Sequence, residues 1–386
     1  MTSEPFLPFA RPALSEAAID EVVACLRSGW ITTGPRVQRF EAMLSDYVGG
    51  RRVLCVSSAT AGLHLALLAL DLQPGFEVIT TPLTFVASLN TIVQAGGVPV
   101  LADIEPGTLN IDLDQLERRI TPRTRALMPV HFAGLPVDLD RLYAIAEKHG
   151  LRVVEDAAHS IGTEYGGKRV GSFGDIQVFS FHPNKNMTTG EGGAIATADE
   201  AVIRRISVMR FHGIDRDAFN RFSKSGSQHY DVEAPGFKYN MMDIQAALGI
   251  HQLPELEGFN RRRQALVERY YQMIGDWPQL ELPTTPAYAH RHAWHLLTPL
   301  IDPEAAGLDR DGFLARMKEE NVGVGLHYTA PHLFRYYRER FGYKPGDFPV
   351  AERACARICS LPLFPTMTEA EQDRVVGAMA RVFGRN

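Results

Sequence analysis

The sequence predicts an α/β fold in which a mostly parallel central sheet is sandwiched between helices. Between residues 53 and 198, short apolar runs alternate with segments of helical spacing, and this alternation is typical of a parallel sheet that is covered on both faces. After a long helical segment from about Leu253 to Ile274, shorter strands and helices follow. We therefore expect a large domain with an N-terminal arm over residues 1–252 and a smaller α+β domain over residues 253–386.

The length and charge of the chain limit its class. Its 386 residues are enough for a large domain with a sizeable core and for a second, smaller domain. The formal net charge is −5 and 22% of the residues are charged, whereas nucleic-acid-binding proteins more often carry an excess of Lys and Arg. The composition therefore argues against a nucleic-acid partner.

Cysteine usage and hydropathy indicate a soluble cytoplasmic protein. The cysteines show neither the spacing of a zinc site nor a dense disulfide framework, which favours a reducing compartment. They are Cys25, Cys55, Cys355 and Cys359. No apolar run of about 18 residues is present to span a membrane, and the first residues lack the apolar core of a signal peptide. We expect no membrane partner.

The individual elements follow from local patterns. Apolar residues at helical spacing, such as Ile19, Val22 and Leu26, predict helices, and short apolar runs predict strands. The predicted helices of the large domain are Ser15–Ser28, Val37–Val48, Ala61–Leu70 and Asp138–His149, and its predicted strands are Val53–Val56, Glu77–Thr80, Val98–Asp103, Ala126–Phe132, Leu151–Glu155 and Ala194–Thr197. In the smaller domain we expect strands His295–Ile301 and Val322–Tyr328 and helices Asp311–Glu320, Val350–Cys359 and Thr368–Val382.

The stretch from Val153 to Gly193 carries the residue types on which chemistry can depend. One predicted strand ends at Glu155 and Asp156, and the next is expected to end at Lys185. Ligands of open α/β sheets bind at the carboxyl ends of the strands, so Asp156 and Lys185 are expected at the same edge. This pair suits pyridoxal phosphate, whose aldehyde needs a lysine for a Schiff base and whose pyridine nitrogen needs a carboxylate to stay protonated.

Each of these residues taken alone also fits a simpler role. Asp156 is compatible with a helix cap, Lys185 with a solvated loop, and the glycines around Gly192 with a tight turn. The serines before Ala61 usually act as N-caps, although the same helix N-terminus is able to bind an anion. The order of the whole set favours the cofactor site.

Three segments of this stretch resemble the DegT group of sugar-nucleotide aminotransferases, which are fold type I enzymes that use pyridoxal phosphate. They are Val154–Ala158, Ser180–Lys185 and Thr188–Gly193. The resemblance extends over most of the chain, from Pro8 to about Val382. It implies that L-glutamate leaves its amine on the cofactor as pyridoxamine phosphate, and that a nucleotide-linked keto sugar then takes this amine.

The resemblance also assigns roles to residues at the cofactor. Lys185 would hold the cofactor as a Schiff base and then move the proton, Asp156 would keep the pyridinium protonated, and His159 would lie beside the phenolic oxygen. Phe85 would stack on the ring. The phosphate would be bound by Ser58, Ala59, Thr60 and Ser180.

The resemblance also implies that the protein is a homodimer with its active sites near the subunit interface. The segment Gly236–Gly249 is similar to the family's interface motif, but it has Lys238 and Asn240 where the commoner form has Asn and then Arg. Either Lys238 or Asn240 would reach the phosphate in the partner subunit. The preceding residues, Asp215–Pro235, are polar and rich in Gly and Ser, which predicts a mobile loop over the site.

The Lys-Tyr-Asn form of this motif is similar to the branch that aminates a UDP-4-keto-pentose. The resemblance then implies sugar-nucleotide contacts in the loop that follows the first helix and in the smaller domain. The candidates are Trp30, Thr32, Thr33, His327, Tyr328 and His332. The histidines of the smaller domain, including His290 and His292, lack an orderly spacing for metal ligands, so we expect no metal.

The sequence is also compatible with other functions. The acceptor could instead be a UDP-, dTDP- or GDP-linked 4-keto-6-deoxyhexose or a 3-keto sugar. A cofactor-dependent sugar dehydratase is disfavoured, because that branch of the family has histidine in place of the lysine that this chain has at Lys185. A non-catalytic regulator is the third class, but the chain shows no basic helix-turn-helix segment.

Overall fold

A seven-stranded sheet lies at the centre of the protein. The computed structural model describes residues 4–214 and 230–385. The strands are β1 (Arg52–Val56), β2 (Glu77–Thr80), β3 (Val98–Leu101), β4 (Thr124–Leu127), β5 (Arg152–Asp156), β6 (Glu164–Tyr165), β7 (Lys168–Arg169), β8 (Ile176–Ser180), β9 (Gly193–Thr197), β10 (Leu280–Glu281), β11 (His290–Arg291) and β12 (Leu300–Ile301). The order in the central sheet is β1-β9-β8-β5-β4-β2-β3.

Most strands of the central sheet are parallel. Strand β2 pairs in parallel with β3 and β4, β4 with β5, and β5 with β8, whereas β9 is antiparallel to both β8 and β1. Since β1, β5 and β8 therefore point in the same direction, their last residues, Val56, Asp156 and Ser180, lie at one edge of the sheet. The predicted fold class is confirmed.

Helices cover both faces of this sheet. They are α1 (Glu16–Ser28), α2 (Pro35–Tyr47), α3 (Ala59–Ala69), α4 (Ala87–Gln94), α5 (Leu113–Arg118), α6 (Leu139–His149), α7 (Glu200–Met209), α8 (Asp243–Ile274), α9 (Pro303–Ala306), α10 (Arg310–Glu319), α11 (Arg335–Phe341), α12 (Pro349–Arg357) and α13 (Glu369–Val382). Successive strand residues face opposite sides. In β1, Val53 and Cys55 pack in the core with α2, α6 and α8, and Leu54 and Val56 pack in the core with α3, α4 and α7.

Helix α8 connects the sheet to the C-terminal part of the chain. It begins at Asp243, ten residues before the predicted start, and continues through Pro254. Proline disfavours a helix interior, but burial of Ala246, Ile250 and Leu253 stabilises the helix there. Leu256 still belongs to the core of the sheet, whereas the residues from Leu266 onward pack with α10 and α13. The division at residues 252 and 253 stays a prediction.

Two strands predicted for the smaller domain are wrong. Of His295–Ile301, only Leu300 and Ile301 form a strand. Val322–Tyr328 is irregular, and among the described residues its β-bridges are the isolated ones from Val322 to Leu7 and from Gly325 to Ser360. The segment His295–Ile301 is buried, whereas most of Val322–Tyr328 is only partly buried. Leu300 and Ile301 pair with β10 over two positions, and Val322 and Gly325 make single bridges instead of a continuous ladder.

Polar capping joins the two parts of the molecule. The buried carboxylate of Asp103, just after β3, accepts hydrogen bonds of 2.9 Å from the N–H groups of Val350 and Ala351. These are N–H groups of the first turn of α12, so Asp103 satisfies donors that have no partner within the helix. This C-terminal part of the chain is thereby held against the edge of the sheet where β3 ends.

The remaining expectations concern features outside the core fold. Residues 215–229 of the predicted mobile loop lie outside the described residues. All four cysteines are buried and free. Within residues 4–214 and 230–385, no helix combines the length and apolar composition that crossing a bilayer requires. In the same ranges, no group of three or more His, Cys, Asp or Glu side chains is placed to hold a metal ion.

Candidate active site

A cavity of about 380 Å³ lies at the edge where β1, β5 and β8 end. The start of α3, the turn before α4, and the segment around His327 complete its wall. The predicted site residues that line it are Ser58, Ala59, Thr60, Phe85, Asp156, His159, Ser180, Lys185, His327 and Tyr328. Residues from five separate parts of the chain thus converge on one space.

Asp156 is the last residue of β5 and is buried. Its Oδ2 accepts a hydrogen bond of 2.8 Å from the hydroxyl of Ser88, and its Oδ1 accepts one of 3.2 Å from the N–H of Ala158. Burial raises the pKa of Asp156, whereas these two hydrogen bonds and the charge of Lys185 oppose the rise. The hydrogen bonds therefore favour the ionised form of a carboxylate in an apolar setting.

Lys185 lies in the turn after β8, five residues beyond the strand end at Ser180, so the expectation that the strand ends at this lysine is wrong. The turn returns the chain to the sheet edge because the N–H of Lys185 bonds to the carbonyl of His182 and the N–H of Thr189 bonds to the carbonyl of Phe181. Burial lowers the pKa of Lys185 to about 8, against a smaller opposing effect of Asp156. Near neutral pH a useful fraction of this amine is unprotonated.

His159 and Tyr328 form one side of the cavity. The hydroxyl of Tyr328 and Nε2 of His159 share a hydrogen bond of 2.9 Å. Burial lowers the pKa of His159 well below its ordinary value, with additional effects of Lys185 and His327. His159 is therefore a neutral imidazole, and its buried Nδ1 has no hydrogen-bond partner within the described part of the chain.

The first turn of α3 forms another side of the cavity. Ser58 is the N-cap, and its hydroxyl accepts a hydrogen bond of 3.1 Å from the N–H of Ala61. Ala59 and Thr60 are the first helical residues, so their N–H groups have no partner within the helix. Both interpretations of the serine turn are thus compatible: Ser58 caps the helix, and the helix N-terminus faces a cavity that suits an anion.

Phe85 lies at the mouth of the cavity. Its side chain is 58% exposed, and its ring centroid lies 5.9 Å from that of Tyr328. A large exposed aromatic side chain beside a cavity is an available surface for a planar ligand.

Another group of predicted residues does not line the cavity. Asn240 is buried and donates a hydrogen bond of 2.5 Å to the hydroxyl of Thr33, which in turn donates one of 2.5 Å to the carbonyl of Met241. The indole N–H of Trp30 bonds to the carbonyl of Thr33 at 3.1 Å. Neighbouring Thr32 is exposed. The loop that contains Trp30, Thr32 and Thr33 is thereby joined to Asn240 and Met241.

Lys238 and His332 are placed differently. Lys238 is exposed, with Nζ 4.1 Å from the ring centroid of Phe211. His332 is fully buried and pairs with Glu352 at 3.0 Å. Its imidazole does not line the cavity, so its predicted contact with the sugar nucleotide has no support in the geometry. It packs in the aromatic core around Phe348, whose ring centroid lies 4.9 Å away.

Two residues close to the reacting groups are absent from the sequence-based predictions. Ser88 contacts Asp156 across 68 positions of sequence, and His295 contacts Lys185 across 110 positions. Ser88 carries a weak sequence signal, since it follows Thr84 by four residues, the spacing that places two side chains on one face of a helix. In the structure the two hydroxyls bond at 2.8 Å. We find no sequence signal for His295.

The residues in this cavity fit pyridoxal phosphate. A lysine amine is present for the aldehyde, a buried carboxylate for the ring nitrogen, and a helix N-terminus for the phosphate. The Nδ1 of His159, which has no hydrogen-bond partner among the described residues, is a further polar group that a ligand is able to satisfy. When bound, the cofactor supplies an electron sink for the carbon whose bond to hydrogen breaks. Among the residues that line the cavity, Lys185 carries the amine, and we predict that it moves this proton.

Comparison with known proteins supports the same chemistry. The model of the DegT/DnrJ/EryC1/StrS aminotransferase family matches residues 12–380. The spore coat polysaccharide biosynthesis protein SpsC of Bacillus subtilis is 44% identical over 378 residues, which cover 97% of this chain and 96% of SpsC.

Solved structures agree with this assignment. The PMP form of Spr1654, a putative sugar aminotransferase from Streptococcus pneumoniae, is 32% identical with a TM-score of 0.91, over 98% of this chain and 99% of that one. PseC of Helicobacter pylori, an aminotransferase involved in the biosynthesis of pseudoaminic acid, is 28% identical with a TM-score of 0.90 over the same shares. The chain described here thus belongs to the DegT/DnrJ/EryC1/StrS aminotransferase family and is an aminotransferase that uses pyridoxal phosphate.

Proposed function

We propose that this enzyme transfers the amino group of L-glutamate to the C4 ketone of a nucleotide-linked sugar, with a UDP sugar as the favoured acceptor. The observation that carries the proposal is the position of Lys185 in the same cavity as Asp156 and His159. An amine with a pKa of about 8 beside a buried carboxylate is suited to hold the cofactor and to exchange a proton with each substrate in turn.

The cavity wall supports a polar acceptor such as a keto sugar. His327 and Tyr328 both line it, and Nδ1 of His327 bonds to the hydroxyl of Ser360 at 2.9 Å. The pKa of His327 is lowered to about 4, mainly by burial, so this side chain is neutral near pH 7. It offers a second ring nitrogen for a hydrogen bond with a sugar hydroxyl.

Two of the similar proteins are named for related chemistry. SpsC is described as a spore coat polysaccharide biosynthesis protein, and PseC as an aminotransferase in pseudoaminic acid biosynthesis. We extend amino-sugar biosynthesis to this chain on that basis. The UDP-4-keto-pentose is proposed from the Lys-Tyr-Asn form of residues 238–240.

We further propose that the enzyme is a homodimer whose active sites lie near the interface. Ile19 and Leu26 lie seven residues apart on one face of α1 and are 42% and 51% exposed. Met242, at the start of α8, and Ile31, in the loop next to Thr33, are also exposed. These apolar side chains beside the interface segment are suited to burial against a second subunit.

A substrate panel tests the proposed specificity. The enzyme loaded with cofactor would be incubated with one of several amino donors and with UDP-4-keto-pentose or the UDP-, dTDP- and GDP-linked 4-keto-6-deoxyhexoses, and the amino-sugar product identified by mass spectrometry and NMR. We expect the highest kcat/KM with L-glutamate and the UDP-linked pentose. A higher value with a dTDP- or GDP-linked sugar would contradict the UDP assignment and leave the aminotransferase assignment intact.

A further inference from the structure

The imidazole of His295 lies against the reacting amine of Lys185. Nζ of Lys185 is 3.4 Å from Nε2 of His295, and the His295 ring centroid is 4.4 Å from that of His159. His295 is 2% exposed. It follows Trp294 in the irregular segment before β12 and does not line the cavity itself. It therefore contacts the amine from outside the set of residues that line the cavity.

We propose that His295 is a positioning residue, which accepts a hydrogen bond at Nε2 from the amine of Lys185 whenever that amine is not bound to the cofactor. The inference requires only that Lys185 forms the Schiff base. It does not depend on the identity of the sugar or of the nucleotide. The role of His295 can therefore be disproved while the proposed acceptor is correct, and the proposed acceptor can be disproved while the role of His295 is correct.

The backbone of His295 is fixed by a buried arginine. The guanidinium of Arg263, on α8, is 2% exposed and donates hydrogen bonds to the carbonyls of Trp294, His295 and Leu363 at 3.3, 3.2 and 3.0 Å. Three carbonyl acceptors on one buried guanidinium hold the segment in a single position relative to α8.

The same helix also fixes the turn that carries Lys185. Asn260 lies three residues before Arg263, and its Oδ1 accepts a hydrogen bond of 2.7 Å from Asn186, the neighbour of Lys185. Asn186 also donates one of 2.7 Å to the carbonyl of Ala293, two residues before His295. Both members of the contact between Lys185 and His295 are thus fixed to one turn of α8.

The charged and titratable groups around the pair favour a neutral His295. Burial lowers the pKa of His295 well below its ordinary value, and Lys185, His159, Arg263 and His327 lower it further. A neutral imidazole keeps an acceptor nitrogen for an ammonium group. Lys185 itself is also influenced by Asp156, which favours the ammonium form. His295 is therefore able to accept from the protonated lysine without competing for its proton.

The contact has a defined use in the reaction. When Nζ of free Lys185 takes a proton, the carbon–hydrogen bond of the substrate breaks and a nitrogen–hydrogen bond forms, which leaves an ammonium group. The bound cofactor would take up the electron pair of the broken bond. A hydrogen bond from this ammonium to Nε2 of His295 holds it beside the cavity until the proton is given up again. Correct placement of a proton donor is a large part of its catalytic effect.

The first test uses the enzyme without cofactor. The pKa of Lys185 would be measured by competitive acylation across a pH series, with the labelled peptide quantified by mass spectrometry. His295→Gln keeps a side-chain acceptor, whereas His295→Met has a similar size and only a weak acceptor. We expect a fall in the pKa of Lys185 of about one pH unit in H295M, because a hydrogen bond to the ammonium is lost. H295Q should remain near the wild type.

His292 provides a matched control. It is a histidine of the same segment with a pKa lowered by burial, but its ring stacks on Trp294, with a centroid distance of 3.8 Å. H292Q should leave the pKa of Lys185 unchanged. The proposal would be overturned by an unchanged pKa in H295M, by H295Q behaving as H295M does, or by an equal fall in H292Q.

A second measurement keeps the proposal testable if H295M does not fold. Selective 15N labelling of histidine in the wild-type enzyme without cofactor reports the tautomer of each imidazole, and H295Q identifies the signal of His295. We expect hydrogen on Nδ1 and an accepting Nε2. A proton on Nε2 that persists when Lys185 is protonated would overturn the proposal, because that nitrogen would then be unable to accept.

The loaded enzyme gives a third readout. In the half-reaction with glutamate, H295M should lower the rate constant more than it changes the apparent Kd for glutamate. The effect of deuterium at the α-carbon should increase, since proton transfer by a poorly placed lysine becomes more nearly rate-limiting. An unchanged isotope effect together with weaker glutamate binding would indicate a structural role alone and contradict the proposal.

Discussion

The hydroxyl of Ser88 donates a hydrogen bond of 2.8 Å to Oδ2 of Asp156, the carboxylate at the end of β5. The hydroxyls of Ser88 and Thr84 also bond to each other at 2.8 Å, and Thr84 lines the cavity. Because burial raises the pKa of Asp156 and the Ser88 contact lowers it, this hydrogen bond helps to keep the carboxylate ionised.

Replacement of Ser88 by alanine should therefore raise the pKa of Asp156 further. The ionised carboxylate would then be lost at a higher pH as the solution is acidified, so the acid limb of the pH profile should move upward by about one unit. The measurement is the rate constant of the half-reaction with glutamate from acidic to neutral pH. S88T keeps a hydroxyl and should restore the wild-type limb. Coincident profiles for S88A and the wild type would contradict the role of Ser88.

The lowered pKa of Lys185 has a consequence for cofactor uptake. An amine attacks an aldehyde only when it is unprotonated, and the pKa of Lys185 is about 8. The rate of Schiff base formation in the enzyme without cofactor should rise about tenfold per pH unit at lower pH and level off near pH 8. Stopped-flow absorbance measures this rate. The same reaction with Nα-acetyl-lysine serves as the reference, because it shows the pH dependence that comes from ionisation of the cofactor itself. A rise that continues toward the ordinary lysine value of 10.5 would contradict the assigned environment.

Lys185→Ala should abolish turnover. The variant loses both the Schiff base and the proton-transfer group, and the latter alone usually accounts for about 10²- to 10⁴-fold in rate. Loss of the visible band of the lysine-bound cofactor and a fall in kcat of at least that size are expected. Lys168→Ala, at an exposed lysine of β7, serves as the control. Unaltered turnover in K185A would show that Lys185 is not the Schiff-base residue.

Hybrid dimers test the prediction that Lys238 or Asn240 acts in the partner's site. A hybrid of one K185A subunit and one N240A or K238A subunit contains one site with every group intact if the residue acts across the interface. Random mixing of two inactive variants should then restore about a quarter of the wild-type activity. The pair that recovers identifies the residue. If neither mixture recovers although dimers form, the residue acts within its own subunit.

The large domain was predictable because its signals are local. The alternation of apolar runs and helical segments between residues 53 and 198 predicts the sheet, and β2 has the predicted ends, Glu77 and Thr80. The site residues at strand ends, such as Asp156, follow from the rule that parallel strands end at one edge. Placement of the Lys185 turn was less accurate, since a turn of five residues after β8 leaves no periodic pattern.

The smaller domain and the supporting groups of the site depend on distant contacts. The apolar segment His295–Ile301 resembles a strand in composition, but carbonyls of the adjoining Trp294 and of His295 accept from Arg263 on another element. The local sequence pattern does not show that a buried guanidinium, instead of a neighbouring strand, binds these carbonyls. The contact of His295 with Lys185 joins residues 110 positions apart, so only the folded chain reveals it.

The most direct test of the proposed function is a two-step absorbance experiment. L-Glutamate converts the enzyme to its pyridoxamine form, the amino acid is removed, and UDP-4-keto-pentose is added while the visible band of the lysine-bound cofactor is recorded. We predict that the band disappears with glutamate and returns at a catalytically competent rate with the sugar. A band that glutamate leaves unchanged would contradict the donor, and one that disappears but does not return with this sugar would contradict the acceptor.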